Sequence, residues 1–422
     1  MTGLGARAAS ALVGGVNSPV RACRAIGTPP LMLAEARGAH VRDADGREYV
    51  DLVMGWGPLI LGHRPDAVET AVRASLERCD LLGFTHEDEI ALAEAIRDAT
   101  ASVERVRLTV SGTEACMTAL RLARAATGRR LALMFDGGYH GHSDALLGDA
   151  SEGVPAGTAA DLARVPYNDL AAFDRAMDER GAETACVIVE PVAANMGVIE
   201  PDPGFLARVR DRASRAGALV VFDEVVTGFR LGYGAAQARL GVAADLTVFG
   251  KIIGGGWPIG ALGGPASLMR RLAPEGGVYH GGTFAGHPAS AAAGRAVLES
   301  LRRNPPYDRL EQLGDALADG LARAAAQDGV PVRVNRAGSM LTVFFTDCSV
   351  RNLRDAAASD RERFGRWAAA MLEQGVLVAP SAMEAMFVSA AHTDADVARV
   401  IEAAGAAFAR VRTAHGASHA GR

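Results

Sequence analysis

The sequence predicts an α/β fold: a mainly parallel sheet with helices on both faces, joined to an N-terminal segment and a small α+β C-terminal lobe. Three observations carry this. First, the middle of the chain alternates helical stretches with the apolar runs RVRLTV (105–110), RLALMF (130–135), CVIVEP (186–191), ALVVFDEV (218–225) and DLTVFGK (245–251). Buried β runs separated by helices build a parallel sheet. Second, polar residues close these runs, namely Ser111, Glu190, Asp223 and Lys251. Ligands of such sheets sit beyond the carboxyl ends of the strands, so these four are candidates for a site. Third, the two ends of the chain lack this alternation.

Taken in order, residues 1–50 hold a Gly/Pro-rich stretch and a hairpin, HVRDADGREYVDL, turning at Asp45–Gly46. SGTEACMTALRLARAATG follows the first central strand as a helix, and FLARVRDRASRAG fills the connection before ALVVFDEV. Residues 145–165 read as a long polar loop of the kind that is either a lid or disordered. From about 301 onward, helices rich in Arg, Ala, Leu and Glu surround the strands MLTVFFTD and GVLVAP. The expected divisions are an N-terminal segment (1–55), a large domain (56–300), a small C-terminal domain (301–412) and a disordered tail (413–422).

Composition excludes several classes. The 422 residues carry a net charge of −5 and 5% aromatics, which argues against a nucleic-acid or anionic-membrane surface. Cys23, Cys79, Cys116, Cys186 and Cys348 are scattered without CxxC spacing, so free thiols in a reducing cytoplasm are expected. No run approaches the length of a membrane-spanning segment, and the N-terminus lacks an apolar leader followed by a cleavage site. The histidines 63, 140, 142, 287 and 392 show no HExxH-like spacing, and no metal is expected.

One count points to the chemistry. Of 44 Lys plus Arg, a single residue, Lys251, is lysine. Arginine replaces lysine on a solvated surface, but its guanidinium is no amine nucleophile. Lys251 and Asp223 both end hydrophobic strands. A pyridoxal cofactor requires an imine-forming lysine and a carboxylate on its pyridinium nitrogen. Taken singly, Asp223 reads equally as a cap and Lys251 as an exposed strand end; together they favour the cofactor. Gly254–Gly256 permit close backbone approach to a planar ligand. Ser111-Gly112-Thr113, between a strand and a helix, is placed to cradle a phosphate or simply to cap the helix. Tyr139, after Gly137-Gly138, is placed to stack on a ring or to pack its own loop.

These residues resemble the fold-type I, subgroup III aminotransferases, and within them the aminomutase branch. The resemblance runs through GGVNSPVRA (14–22), GWGPLILGH (55–63), SGTEA (111–115), GGYHGH (137–142), VPYNDL (165–170), EPVAANMGV (190–198), FDEVVTGFR (222–230), GKIIGGGWPIGALGG (250–264) and SAMEAMFVSAAHT (381–393). It implies a seven-stranded-type sheet and pyridoxal 5'-phosphate cycling with pyridoxamine 5'-phosphate. It also implies intramolecular amino transfer from glutamate-1-semialdehyde to 5-aminolevulinate, a tetrapyrrole precursor.

By the same resemblance Lys251 anchors the cofactor and shuttles protons, Asp223 meets the ring nitrogen, and Tyr139 lies against the ring. Ser111, Gly112 and Thr113 hold the phosphate. Thr283 reaches the phosphate of a neighbouring subunit, so the enzyme is expected to be a homodimer with shared sites. Ser18 and Arg21 bind the substrate carboxylate. Trp56 lines the substrate pocket, as does Asn195, which is grouped with the cofactor-binding residues. Glu384 faces the amino end, where it repels the second carboxylate of a glutamate donor.

Three departures stand out. The segment 145–165 is shorter than the lid of these relatives, Val110 precedes SGTEA where a polar residue is usual, and His287 replaces asparagine in GHP. The short lid leaves a second expectation open: an aminotransferase of a specialised pathway using an external amine donor.

Overall fold

Residues 3–416 are described by the computed structural model of the chain. Their strands, in chain order, are β1 (Leu33–Arg37), β2 (His40–Asp43), β3 (Glu48–Asp51), β4 (Arg105–Thr109), β5 (Leu131–Phe135), β6 (Leu162–Val165) and β7 (Thr184–Val189). They continue with β8 (Leu219–Glu224), β9 (Leu246–Gly250), β10 (Gly260–Gly264), β11 (Arg333–Ala337), β12 (Met340–Phe344), β13 (Val376–Leu377) and β14 (Met386–Phe387). Two compact units result: one of Pro65–Ala194 and Glu200–Tyr307, the other of the residues up to Arg64, Asn195–Ile199 and those from Asp308 onward.

The first unit is built on a seven-stranded sheet in the order β4-β10-β9-β8-β7-β5-β6. The strands from β5 to β9 are mutually parallel, and β10 runs antiparallel to both β4 and β9. Strands β5, β7 and β9 are buried along their whole length, which is why they read as continuous apolar runs rather than alternating ones. The helix Gly112–Thr127 connects β4 to β5 and lays Ala115, Cys116, Ala119, Leu122 and Ala123 into the core. Its amphipathic spacing dictates that face. Gly128, at φ +70°, ends it in the left-handed conformation that glycine adopts without penalty.

The segment 145–165, expected to be one long loop, is partly structured instead. It carries short helices at Asp144–Leu147 and Ala156–Ala159 and then β6, which pairs in parallel with β5. Arg164 on β6 binds Asp149 (2.7 Å) and the Leu147 carbonyl (2.5 Å), folding the segment onto the sheet edge. Short alternating runs at a sheet edge carry little hydrophobic signal, which hid this strand in the sequence.

In the second unit, β2 and β3 form the antiparallel hairpin predicted around Asp45–Gly46, with Gly46 at φ +87°. The N-terminal segment and the C-terminal lobe, read as separate pieces, share one sheet: β13 pairs in parallel with β3 through Val376↔Val50 and Leu377↔Asp51. The sequence could not reveal this because the joining strand is so short. The lobe's own sheet has the order β11-β12-β14. Phe345, Phe364, Trp367 and Phe408 pack beside it, with the Trp367 and Phe408 rings stacked at 5.7 Å. The expected tail begins inside a helix, since Asp394–Gly416 is one helical element, and 417–422 lie outside the described residues.

Candidate active site

Strands β8 and β9 are neighbours, in register Asp223↔Val248 and Glu224↔Phe249. The carboxyl end of β8 therefore presents Asp223 near the point where β9 delivers Lys251. Asp223 is 5% exposed, and both its oxygens are held. Oδ1 accepts the Val225 N–H (3.0 Å), while Oδ2 accepts His140 Nδ1–H (2.7 Å) and the Cys116 thiol (3.4 Å). A carboxylate clamped at both oxygens keeps one rotamer and one orientation. Burial pushes the Cys116 thiol well up, with the nearby Asp223 charge adding to it, so Cys116 stays protonated and able to donate.

Lys251 follows β9 directly and has φ +48°. A non-glycine residue in the left-handed region costs roughly 1–2 kcal/mol, and such positions concentrate at functional sites.

Ser111 caps the helix Gly112–Thr127, its hydroxyl accepting the Glu114 N–H at 3.3 Å. The early N–H groups of that helix form the positive end of its dipole, an anion site. Gly112 is required sterically, because a Cβ there would lie 2.9 Å from Val225 Cγ2. Gly141 serves the same purpose from the other side: a Cβ there would fall 2.6 Å from Thr113. Thr113 and His142 Nδ1 are 3.3 Å apart.

Tyr139 remains half exposed at 50%, and its backbone N–H donates to Glu190 Oε1 (3.0 Å). Burial of its inner edge raises the phenol above its ordinary value, and a hydrogen bond from Thr113 partly opposes that. Glu190, which also accepts the Ala194 N–H at 2.8 Å, has its carboxyl pushed up by burial, with His140 opposing. Asp223, Tyr139, Thr113, Gly112 and Lys251 thus all belong to the same unit. Thr283 is exposed on the loop ahead of the helix Pro288–Arg303, also in this unit.

The remaining predicted residues belong to the second unit. Ser18 begins the 3-10 turn Pro19–Ala22, and its carbonyl accepts the N–H of the exposed Arg21 at 3.0 Å. Trp56 sits in a left-handed turn at φ +71°. Asn195 opens the segment Asn195–Ile199, whose Val198 N–H donates to Thr342. The Glu384 N–H donates to the Ser381 carbonyl, and its own carbonyl accepts the Thr342 hydroxyl at 3.3 Å.

His140 is the residue that sequence reading missed. It pairs with Asp223, and its place directly after Tyr139 is the signal the sequence offers. Two of the departures have structural accounts. His287 takes over the capping role that asparagine would fill, its Nδ1 accepting the Ala289 N–H at 3.2 Å. Val110 is joined through its N–H to Glu114 (2.9 Å), a bond that does not depend on its side chain. Among the described residues no cluster of His, Cys, Asp and Glu is arranged to hold a metal ion, and no helix is long and apolar enough to cross a membrane.

The donor set fits pyridoxal phosphate. It offers an amine at a strand end, a clamped buried carboxylate on the adjacent strand, an aromatic side chain on a glycine loop, and a helix N-terminus whose first residue has no room for a side chain.

A family model described as aminotransferase class-III matches residues 23–405. The chain is 49% identical to a glutamate-1-semialdehyde 2,1-aminomutase from Desulfosudis oleivorans, covering 95% of this chain and 97% of that protein. Among solved structures it is similar to an omega-transaminase from Sphaerobacter thermophilus, with a TM-score of 0.90, 33% identity and 97% of each chain covered. It is also similar to a variant glutamate-1-semialdehyde-aminomutase from Pseudomonas aeruginosa PAO1 in complex with PMP, with a TM-score of 0.87, 25% identity, and 96% of this chain and 93% of that chain covered. On the strength of the family match and of the fold and strand-end residues described above, the chain belongs to the class-III aminotransferase family.

Proposed function

We propose that the protein is a pyridoxal-phosphate-dependent aminomutase that converts glutamate-1-semialdehyde to 5-aminolevulinate for tetrapyrrole synthesis. The observation that carries this is the juxtaposition of the chain's sole lysine, at the end of β9, with the buried Asp223 on β8. The external-donor alternative is not favoured, because relatives at 45–49% identity over almost the whole chain carry the aminomutase name.

When bound, the cofactor supplies an electron sink and a carrier for the migrating amino group. Lys251 Nζ would anchor the cofactor and would be the base that moves a proton at the substrate carbon. Asp223, oriented by His140, would hold the proton at the ring nitrogen. The N–H groups of Gly112 and Thr113, with the Thr113 hydroxyl and the Ser111 cap behind them, take the phosphate. Tyr139 would lie against the ring.

Ser18 and Arg21 bind the substrate's single carboxylate, Trp56 and Asn195 line its path, and Glu384 attracts an amine while repelling a second carboxylate. Thr283 completes the phosphate site of a second copy, so the working form is a homodimer. Phe84 (89% exposed) and Phe284 (55%), on segments joined by His86 Nε2 and the Gly286 carbonyl at 2.8 Å, support a face that a second copy covers. A cytoplasmic setting agrees with the five free cysteines.

The test supplies the purified holoenzyme with glutamate-1-semialdehyde and no other amine. Formation of 5-aminolevulinate is expected; turnover only after an amine donor is added overturns the assignment. Light scattering of the same sample checks the dimer, and a monomer at working concentration contradicts the shared site.

A further inference from the structure

Strand β3 ends at Asp51, and the chain then enters an unusual turn. Met54 (φ +47°), Gly55 (φ +64°), Trp56 (φ +71°) and Gly57 (φ +103°) are all left-handed in succession. Glycine tolerates this region, but methionine and tryptophan do not, and such strain persists only where surrounding contacts over-determine it.

The contacts are present. Asp51, 2% exposed, accepts the N–H groups of Val53 (2.7 Å) and Met54 (3.1 Å) at Oδ1. Its Oδ2 accepts His63 Nε2–H at 2.8 Å. His63 is itself fixed by a two-way backbone bridge to Gly38, with N–H to carbonyl distances of 2.8 and 3.0 Å. Gly62, at φ +90°, leaves no room for slippage, since a Cβ there would meet Ala391 at 2.5 Å. The Met54 side chain is fully buried, and the Trp56 N–H closes the turn onto the Val53 carbonyl at 2.9 Å. One carboxylate therefore holds the start of the loop through Oδ1 and its far end through Oδ2, and Trp56 lies at the apex between them.

We propose that Asp51 and His63 are positioning residues for substrate binding: their pair sets the left-handed turn that aims the Trp56 indole. This rests on the reading of Trp56 as a substrate-lining residue. Neither residue is a catalytic group, and neither is assigned to the cofactor. Their effect is on how well the substrate is held, not on how fast it reacts once held.

The experiment compares KM and kcat for glutamate-1-semialdehyde in holoenzyme variants, with the visible absorbance of the bound cofactor as a separate readout. His63→Leu is expected to raise KM roughly tenfold with kcat and cofactor absorbance nearly unchanged, as for a displaced positioning group. His63→Gln keeps an N–H donor and is expected to return KM toward the wild-type value. If His63→Leu fails to fold, His63→Asn serves instead; it is polar but too short to reach Asp51, and is expected to raise KM likewise. In a Trp56→Ala background the His63 substitution is expected to add nothing further, because both changes remove the same interaction.

If Trp56→Ala raises KM and neither His63→Leu nor His63→Asn does, the positioning proposal is overturned while the reading of Trp56 stands. If Trp56→Ala leaves KM unchanged, that reading falls and the proposal with it. Full additivity of the two substitutions overturns the proposal by showing that His63 acts elsewhere.

Discussion

His140 Nδ1 lies 2.7 Å from Asp223 Oδ2, with both side chains almost wholly withdrawn from solvent. A hydrogen bond to a buried charged group is worth about 1.5–3 kcal/mol. His140→Leu is therefore expected to lower kcat roughly 10- to 100-fold and to shift the visible band of the bound cofactor. His140→Asn keeps an N–H near the Nδ1 position and should retain much of both. An unchanged absorbance spectrum in His140→Leu would show that Asp223 does not depend on this partner.

At the helix start, local propensity and packing predict opposite signs for one substitution. Alanine is a better helix former than glycine by roughly 1 kcal/mol. At position 112, however, a methyl group meets Val225 Cγ2 at 2.9 Å. Overpacking costs about 1–3 kcal/mol, so Gly112→Ala is expected to lower stability and weaken cofactor affinity. Adding Val225→Ala should restore both. Thermal midpoints and cofactor titrations of the single and double variants decide between the two effects; a more stable single variant would mean that propensity wins.

Lys251 is expected to admit no substitute. Lys251→Arg keeps the positive charge but not the amine, and kcat should fall at least about a thousandfold, as on loss of a covalent catalytic group. Borohydride reduction of the wild type should fix the cofactor to a peptide containing Lys251, and that of Lys251→Arg should fix none. Cofactor recovered on another peptide would refute the anchor assignment.

Glu224 offers a pH prediction. It is completely buried and accepts bonds from the Ala236 N–H (2.6 Å), the Thr227 hydroxyl (3.0 Å) and the Gln237 N–H (3.2 Å). Burial outweighs these bonds and raises its carboxyl from 4.5 to about 7. The folded state thus binds a proton more tightly than the unfolded one. Its stabilising contribution is complete below the unfolded value and is lost as pH rises through about 7. Glu224→Gln removes this dependence. The unfolding free energy of the wild type relative to that variant should fall between about pH 5 and about pH 8, by an amount on the order of 1–3 kcal/mol, as read from denaturant unfolding at each pH. A constant difference across that range would contradict the buried, proton-binding carboxyl.

Much of the fold was legible because its signals are local. The runs that became β4, β5, β7, β8 and β9 are short, apolar and bounded by glycine or polar residues. Asp223 and Lys251 could be placed at strand ends from those runs alone. The partly structured segment 145–165 was not legible, because an edge strand with half-exposed residues has no strong period. The pairing of β13 with β3 was not legible either, since the strand that makes it is only two residues long.

The sequence by itself determined the candidates for the site: a lone lysine, a carboxylate one strand away, and a glycine-opened helix start are statements about residue type and spacing. Only the tertiary structure decided what holds them. His140 and Asp223 are 83 positions apart, and Cys116 is 107 from the same carboxylate. Asp51 reaches His63 across a turn whose left-handed backbone no propensity would predict. Hydrogen bonds of this kind depend on distances of a few ångströms between segments remote in the chain, and those distances are fixed by how the sheet and its loops pack.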